Sequence, residues 1–340
     1  MTRRAPRNAE KTWIPVNGIK QGMFITGIGA GKPVLLFVHG GPGMPEHWLT
    51  RRYPTGLERL FTVCWWEQRG AGLSYRPDIP ASTMTLEQFV ADTLAVTDYL
   101  RGRFATDRIY LMAHSWGSYV GIQAAVREPS RFEAYIGVSQ ITHQVASEQL
   151  SWRYMLDEYR ARGEAGMVRR LERAPVTMSV PLPAGYDALR DKAMHGLGVG
   201  TTRDTRSVVT DIFLRSLLSP DYTLREKLGL WRGKMASRRT GLWNAMQATD
   251  LTRVVTDLEI PAYFFHGRHD YTVSYPLAKR YAGQLRAPLV GFYTFANSAH
   301  SPVLEEPERA RKILLEDVLA RSTSLSDEYP TAPRTASAGG

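Results

Sequence analysis

The apolar positions of this chain fall into two alternating patterns. Uninterrupted runs in "PVLLFVHG", "FTVCWWEQ", "RIYLMAHS" and "FEAYIGVSQ" have the length and the β-branched or aromatic content of strands buried on both faces. Helical spacing separates them. In "TLEQFVADTLAVTDYLRGRF", Leu86, Val90, Leu94 and Leu100 share an apolar face, with Thr85 as N-cap and Gln88 in the capping-box position. "WGSYVGIQAAVREP" reads as a second helix, ended by Pro129. Strand–helix alternation from about residue 33 to 139 predicts a parallel sheet with crossover helices.

From residue 140 to 254 the strand runs stop and helical spacing takes over. Trp152, Met155, Leu156 and Tyr159 form one face; Val209, Ile212, Phe213 and Leu217 form another, stopped by Ser219-Pro220. The Pro-rich "APVTMSVPLPAGYD" between them predicts a loop. Alternation resumes with "IPAYFFHGRHD", a helix over "YPLAKRYAGQL", the strand "LVGFYTFANSAH" and a last helix near "PERARKILLEDVLAR". This predicts an α/β core in two parts, 1–139 and 255–321, a mostly helical insertion at 140–254, and a disordered tail at 322–340.

Composition narrows the class. With 43% hydrophobic and 22% charged residues and no apolar run near the roughly 20 residues that span a bilayer, the chain reads as soluble, with no membrane partner. The one cysteine, Cys64, lies in a strand run and predicts an inert buried thiol; with no secretory pattern at the start, a cytoplasmic setting follows. The net charge of +10 comes from dispersed arginines without a basic stripe or zinc-ligand pattern, so no nucleic-acid partner is expected.

Chemistry concentrates at the strand ends. In "YLMAHSWGS", Ser115 sits on a strand-to-helix turn with Gly117 two residues on, close to a G-x-S-x-G elbow in which Ala113 replaces the first glycine. Such a serine needs a base and an acid, in the order Ser, Asp, His. Asp270 follows the strand of "FFHGRHD", and His300 follows the strand of "FYTFANSAH". His300 is the expected base and Asp270 its orienting acid; His266 and His269 read as structural or supporting. "HGGPG" ends the first long strand, where bare backbone can face an oxyanion; Gly41 is the expected loop donor and Trp116 N–H the second.

Together "HGGPG", "WWEQRGAGLS", "AHSWGS", "GRHD" and "NSAHSP" resemble the α/β-hydrolase superfamily, and more narrowly the proline iminopeptidases and their relatives. The resemblance implies an α/β-hydrolase fold with a helical cap, and a serine hydrolase that needs no metal or organic cofactor. It also implies removal of a small N-terminal residue from short peptides. An esterase, lactonase or amidase acting on a small metabolite stays open beside it, as does, more remotely, a non-catalytic ligand-binding protein. Two departures bear on the choice. Glu67 stands where the family segment W-D-Q-R-G has aspartate, and Glu67 and Arg69 read as structural. The family's amine-binding E-N-H-Y-F-like segment has no counterpart here, and the insertion offers scattered acids instead: Glu148, Asp157, Glu158, Asp211 and Glu226. Its Trp152, Arg215, Trp231 and Trp243 suit an apolar or anionic acyl group equally well. The oligomeric state is not legible.

Overall fold

The computed structural model describes residues 9–327. Eight strands form one sheet: β1 (Glu10–Val16), β2 (Ile19–Thr26), β3 (Val34–Val38), β4 (Thr62–Trp66), β5 (Ile109–His114), β6 (Phe132–Val138), β7 (Ala262–Gly267) and β8 (Val290–Phe295). They lie in the order β1-β2-β4-β3-β5-β6-β7-β8. β1–β2 and β2–β4 pair antiparallel, and every other neighbouring pair is parallel. The expected alternation is therefore preceded by the β1–β2 hairpin, which polar positions such as the half-exposed Glu10 and Thr12 and the exposed Lys20 hide from a search for apolar runs.

Alternate residues of the central strands feed two cores, as the two-residue period of a strand requires. Leu36, Val38, Cys64, Trp66, Leu111 and Ala113 face one side, where α1 (Leu86–Arg103) and α2 (Trp116–Arg127) supply Phe89, Val90, Trp116 and Val120. Leu35, Phe37, Val63, Trp65 and Met112 face the other. Coverage on both sides explains why β3, β4 and β5 are buried along their whole length. Thr85 caps α1 by accepting the Gln88 N–H at 3.2 Å, but the expected capping box is not completed: the Gln88 side chain donates instead to Asp92 at 2.8 Å.

Between β6 and β7 run α3 (Gln144–Ala161), α4 (Ala165–Glu172), α5 (Ala184–Leu197), α6 (Leu214–Leu217), α7 (Leu224–Ser237), α8 (Leu242–Ala248) and α9 (Leu251–Val254). Met155, Leu156 and Tyr159 join Tyr186, Leu189 and Met194 in a third core belonging to this segment, with Trp152 packed at its edge. The second predicted face breaks up: Val208–Phe213 winds as a wider π-type turn before the one-turn α6, and Val209 is 60% exposed.

The last part carries α10 (Tyr275–Gln284), α11 (Pro302–Glu305) and α12 (Pro307–Ile313), the last passing into a π-type turn at Leu314–Val318. Residues 322–327, expected to begin the tail, are tied down. Asp317 accepts the Ser324 and Leu325 N–H groups, both at 2.9 Å, and the Lys279 ammonium lies 3.1 Å from Asp327. The rest of that call, 328–340, lies outside the described residues. Among the described residues no helix is long and apolar enough to cross a membrane.

Candidate active site

Parallel strands bring their C-terminal ends to one edge, and the predicted site residues all lie on that edge. β3 runs into the loop of His39, Gly40 and Gly41; β5 runs into Ser115; Asp270 follows β7, and His300 follows β8. Residues as far apart in sequence as Gly41 and His300 come together in one pocket, which Ser115 also lines.

Ser115 sits at φ 53° and ψ −121°, a left-handed conformation unusual for a residue with a side chain. Packing forces the turn. A Cβ on Gly117 would come within 2.1 Å of the Val38 carbonyl oxygen, so α2 can start this close to β3 only through glycine. Ala113 is accommodated because its methyl faces Gly121, where an added Cβ would lie 2.7 Å away. The hydroxyl-bearing residue is nearly buried, at 8% exposure.

Nδ1 of His300 lies 2.9 Å from Oδ2 of Asp270. Oδ1 of Asp270 accepts the Thr272 and Val273 N–H groups, each at 2.9 Å. Burial works to raise the Asp270 pKa, but the His300 and His266 imidazoles hold it well below the usual carboxylate range. Burial lowers the His300 pKa from its ordinary value, with Asp270 pulling the other way. His266, 3.4 Å from Oδ2 through Nε2, supports the carboxylate from behind, as expected. His269 sits at the edge and is absent from the pocket lining.

The "WEQRG" segment braces both sides of the site. Gln68 donates its backbone N–H to His39 Nε2 at 3.0 Å and its amide to the His39 carbonyl at 2.6 Å, and it accepts the Trp116 indole N–H at 3.0 Å. Arg69 makes a buried two-point ion pair with Asp92 at 2.8 and 3.0 Å, which Gln21 and Asn17 complete. Glu67 is buried and accepts the Tyr222 hydroxyl and the Leu73 N–H, joining this loop to the helical segment.

The five acids anticipated for the helical segment do not line the pocket. Glu148 is buried but taken: Arg190 donates to both its oxygens at 2.7 and 2.8 Å, and Tyr186 and Gln144 add hydrogen bonds. Asp157 is 75% exposed, Asp211 accepts the Arg206 and Ser207 N–H groups, and Glu226 pairs with Lys11 in a capping box on Thr223. The acids that do line it are Glu46 and Asp191, neither singled out by sequence. A charge scan could not separate Asp191 from its neighbours, because its side chain is 53% exposed and only the fold sets it against the pocket. The apolar lining includes Met44, Trp48, Ile212, Trp231 and Trp243, and Lys234 adds a cation. Among the described residues no cluster of three metal-capable side chains forms.

A family model described as alpha/beta hydrolase fold matches residues 33–307. The probable aminopeptidase YbaC of Bacillus subtilis (strain 168) is 30% identical over 296 residues, covering 86% of this chain and 91% of that protein. Epoxide hydrolase 2 of Siraitia grosvenorii is 29% identical over 136 residues, 38% of each chain. The solved proline iminopeptidase of Mycobacterium smegmatis superposes with a TM-score of 0.65 at 20% identity, covering 92% of this chain and 98% of that one. The strand order, the strained elbow and the family match lead to one conclusion: the chain belongs to the α/β-hydrolase fold family.

Proposed function

We propose that the protein is a serine hydrolase of the aminopeptidase kind, working through a Ser115 acyl-enzyme beneath the helical segment. The observation that carries this reading is the 2.9 Å His300–Asp270 pair, whose imidazole lines the same pocket as the strained Ser115. Ser115 Oγ attacks the substrate carbonyl carbon while His300 Nε2 takes its proton. The intermediate's oxyanion faces the N–H groups of Gly41 and Trp116. Gly40 cannot serve, because its N–H is held by Glu46 Oε1 at 2.7 Å. Trp116 opens α2, where a helix leaves its first N–H groups without internal acceptors and concentrates positive dipole. His300 then hands the proton to the leaving amine; water, losing a proton to His300, next attacks the acyl carbon, and that proton returns to Ser115 Oγ as the ester bond breaks and the acid leaves. No metal or organic cofactor enters this scheme.

The amide preference draws on the names of the aminopeptidase and proline iminopeptidase relatives. Asp191 pairs with Arg190 through Oδ1 alone, at 3.1 Å, and its Oδ2 is the carboxylate oxygen of the helical segment left to receive a substrate ammonium group. Burial would raise its pKa, but Arg190 and Lys234 hold it below the ordinary carboxylate value, so it is ionised at neutral pH. A second reading, an esterase or amidase for small acids, is favoured by Lys234, which lines the same pocket without an ion-pair partner within 4.0 Å among the described residues. Rates on a prolyl arylamide, its N-acetylated twin and a short-chain p-nitrophenyl ester separate the two, with Ser115→Ala as blank. Preference for the free amine, lost in Asp191→Asn, supports the aminopeptidase. Ester turnover without arylamide turnover supports the second reading.

A further inference from the structure

The proposed triad and oxyanion donors leave two buried charged groups of the site without a role. At the end of β5, His114 is 6% exposed, and each of its ring nitrogens meets an acceptor. Nδ1 lies 2.7 Å from Glu46 Oε1, and Nε2 lies 2.7 Å from the carbonyl oxygen of His300. A carbonyl oxygen only accepts, so Nε2 carries a proton. Glu46 Oε1 already accepts the Gly40 N–H, and as a carboxylate it accepts from Nδ1 as well, so in the ion pair Nδ1 is protonated too. His39, nearby, is the contrast: its Nδ1 donates to the Gly40 carbonyl at 2.7 Å, while its Nε2 accepts the Gln68 N–H, which fixes it as neutral.

We infer that Glu46 and His114 form a buried ion pair that positions the general base, tying the oxyanion loop to the backbone of His300 and setting a fixed positive charge beside its imidazole. The inference rests on the serine-hydrolase reading above. The path is continuous: the Gly40 N–H to Glu46, Glu46 to His114, and His114 to the carbonyl of His300, which also accepts the Ser139 hydroxyl at 2.9 Å. The rings of His114 and His300 are 4.8 Å apart between centroids, tilted by 43°. Gly40 is seated against the elbow as well, since an added Cβ would meet Ser115 Cβ at 3.2 Å. One pair thus fixes the positions of loop, nucleophile and base relative to each other.

The charge has a consequence for the base. Around the two histidines stand Glu46 and His39 from the loop after β3, Asp270 and His266 from the end of β7, and Glu305 on α11. Asp191, Lys234 and His195 stand across the pocket. Burial opposes charge on His114, yet the Glu46 carboxylate raises its pKa above the ordinary value; burial likewise opposes charge on Glu46, and His114 holds it down. A cation beside His300 favours its neutral form, the form that accepts the Ser115 proton. Activity therefore persists to lower pH than it would with a neutral side chain at 114.

The test compares pH profiles of kcat and KM for wild type, His114→Gln and Glu46→Gln on a p-nitrophenyl ester. For His114→Gln, kcat is expected to fall about 10-fold to 100-fold with KM nearly unchanged. The midpoint of its acid limb is expected to move up by about one pH unit. Glu46→Gln, which discharges both partners, should lose kcat similarly and move the midpoint less. An unmoved midpoint in His114→Gln, or an unchanged kcat, overturns the inference. If neither variant folds, wild-type protein carrying ¹⁵N-labelled histidine decides: two ring N–H protons on His114 at pH 8 are expected, and a single one overturns the pair. Fluorophosphonate labelling of wild-type Ser115 separates the two levels, since failure to label counts against the serine-hydrolase reading itself.

Discussion

Asp270 holds His300 through Oδ2 at 2.9 Å while its Oδ1 accepts two backbone N–H groups from Thr272 and Val273. The carboxylate is fixed at both ends and takes up Nδ1, so of the two ring nitrogens only Nε2 is left to serve as the proposed base. In Asp270→Asn an amide N–H competes for Nδ1 and the wrong tautomer results. The expected loss in kcat is about 10³-fold to 10⁴-fold, with the far-UV circular dichroism of the wild type retained. A loss below about tenfold would deny Asp270 the orienting role.

Gln68 joins the loop that carries Gly41 to Trp116, the residue after Ser115. Gln68→Leu removes the side-chain amide's two bonds and leaves the His39 carbonyl and the Trp116 indole N–H buried and unpaired. Urea denaturation should show a loss of about 1–3 kcal/mol. Steady-state kinetics should show kcat reduced about 10-fold to 100-fold, because both proposed oxyanion donors lose their support. Stability lost with kcat intact would confine Gln68 to the fold.

Glu67 gives a pH dependence whose sign is fixed. Burial pushes its pKa up from 4.5 to about 8, against the pull of Tyr222 and Leu73. The folded protein thus binds a proton that the unfolded chain releases between these values. The stabilisation is complete below the unfolded pKa and disappears as pH rises through about 8. Relative to Glu67→Gln, wild type should lose stability from pH 5 to 8 by up to about 1.4 kcal/mol per unit. Denaturant melts that differ by a constant across this range would contradict it.

Arg190 and Glu148 are both buried, so neither tolerates loss of the other. Arg190→Met strands the Glu148 carboxylate and is expected to cost about 3–5 kcal/mol, whereas adding Glu148→Gln should recover most of that loss. A double-mutant cycle by chemical denaturation measures the coupling. Additive single effects would mean that the pair is not coupled in the folded protein.

The core of this fold was legible because strands buried on both faces leave uninterrupted apolar runs, as in Val34–Val38 and Ile109–His114. The β1–β2 hairpin was not, since β1 is mostly half-exposed or exposed and the buried stretch of β2 begins with Gln21 and Gly22, which break its apolar run. Ser115, Asp270 and His300 could be assigned to one edge because strand ends restrict where such groups sit, and the structure sets His300 2.9 Å from Asp270 there. Glu46, His114 and Asp191 could not, because nothing in local spacing says which acid turns inward. Glu148, one of the scattered acids of the insertion, is spent on Arg190, a partner 42 residues away that only packing brings near.

Mass spectrometry after treatment with a fluorophosphonate tests the central claim most directly. One adduct per chain is expected, on the peptide containing Ser115, absent from Ser115→Ala and strongly slowed in His300→Ala. An unlabelled Ser115 in protein that still turns over substrate, or an adduct elsewhere that abolishes activity, would contradict the account.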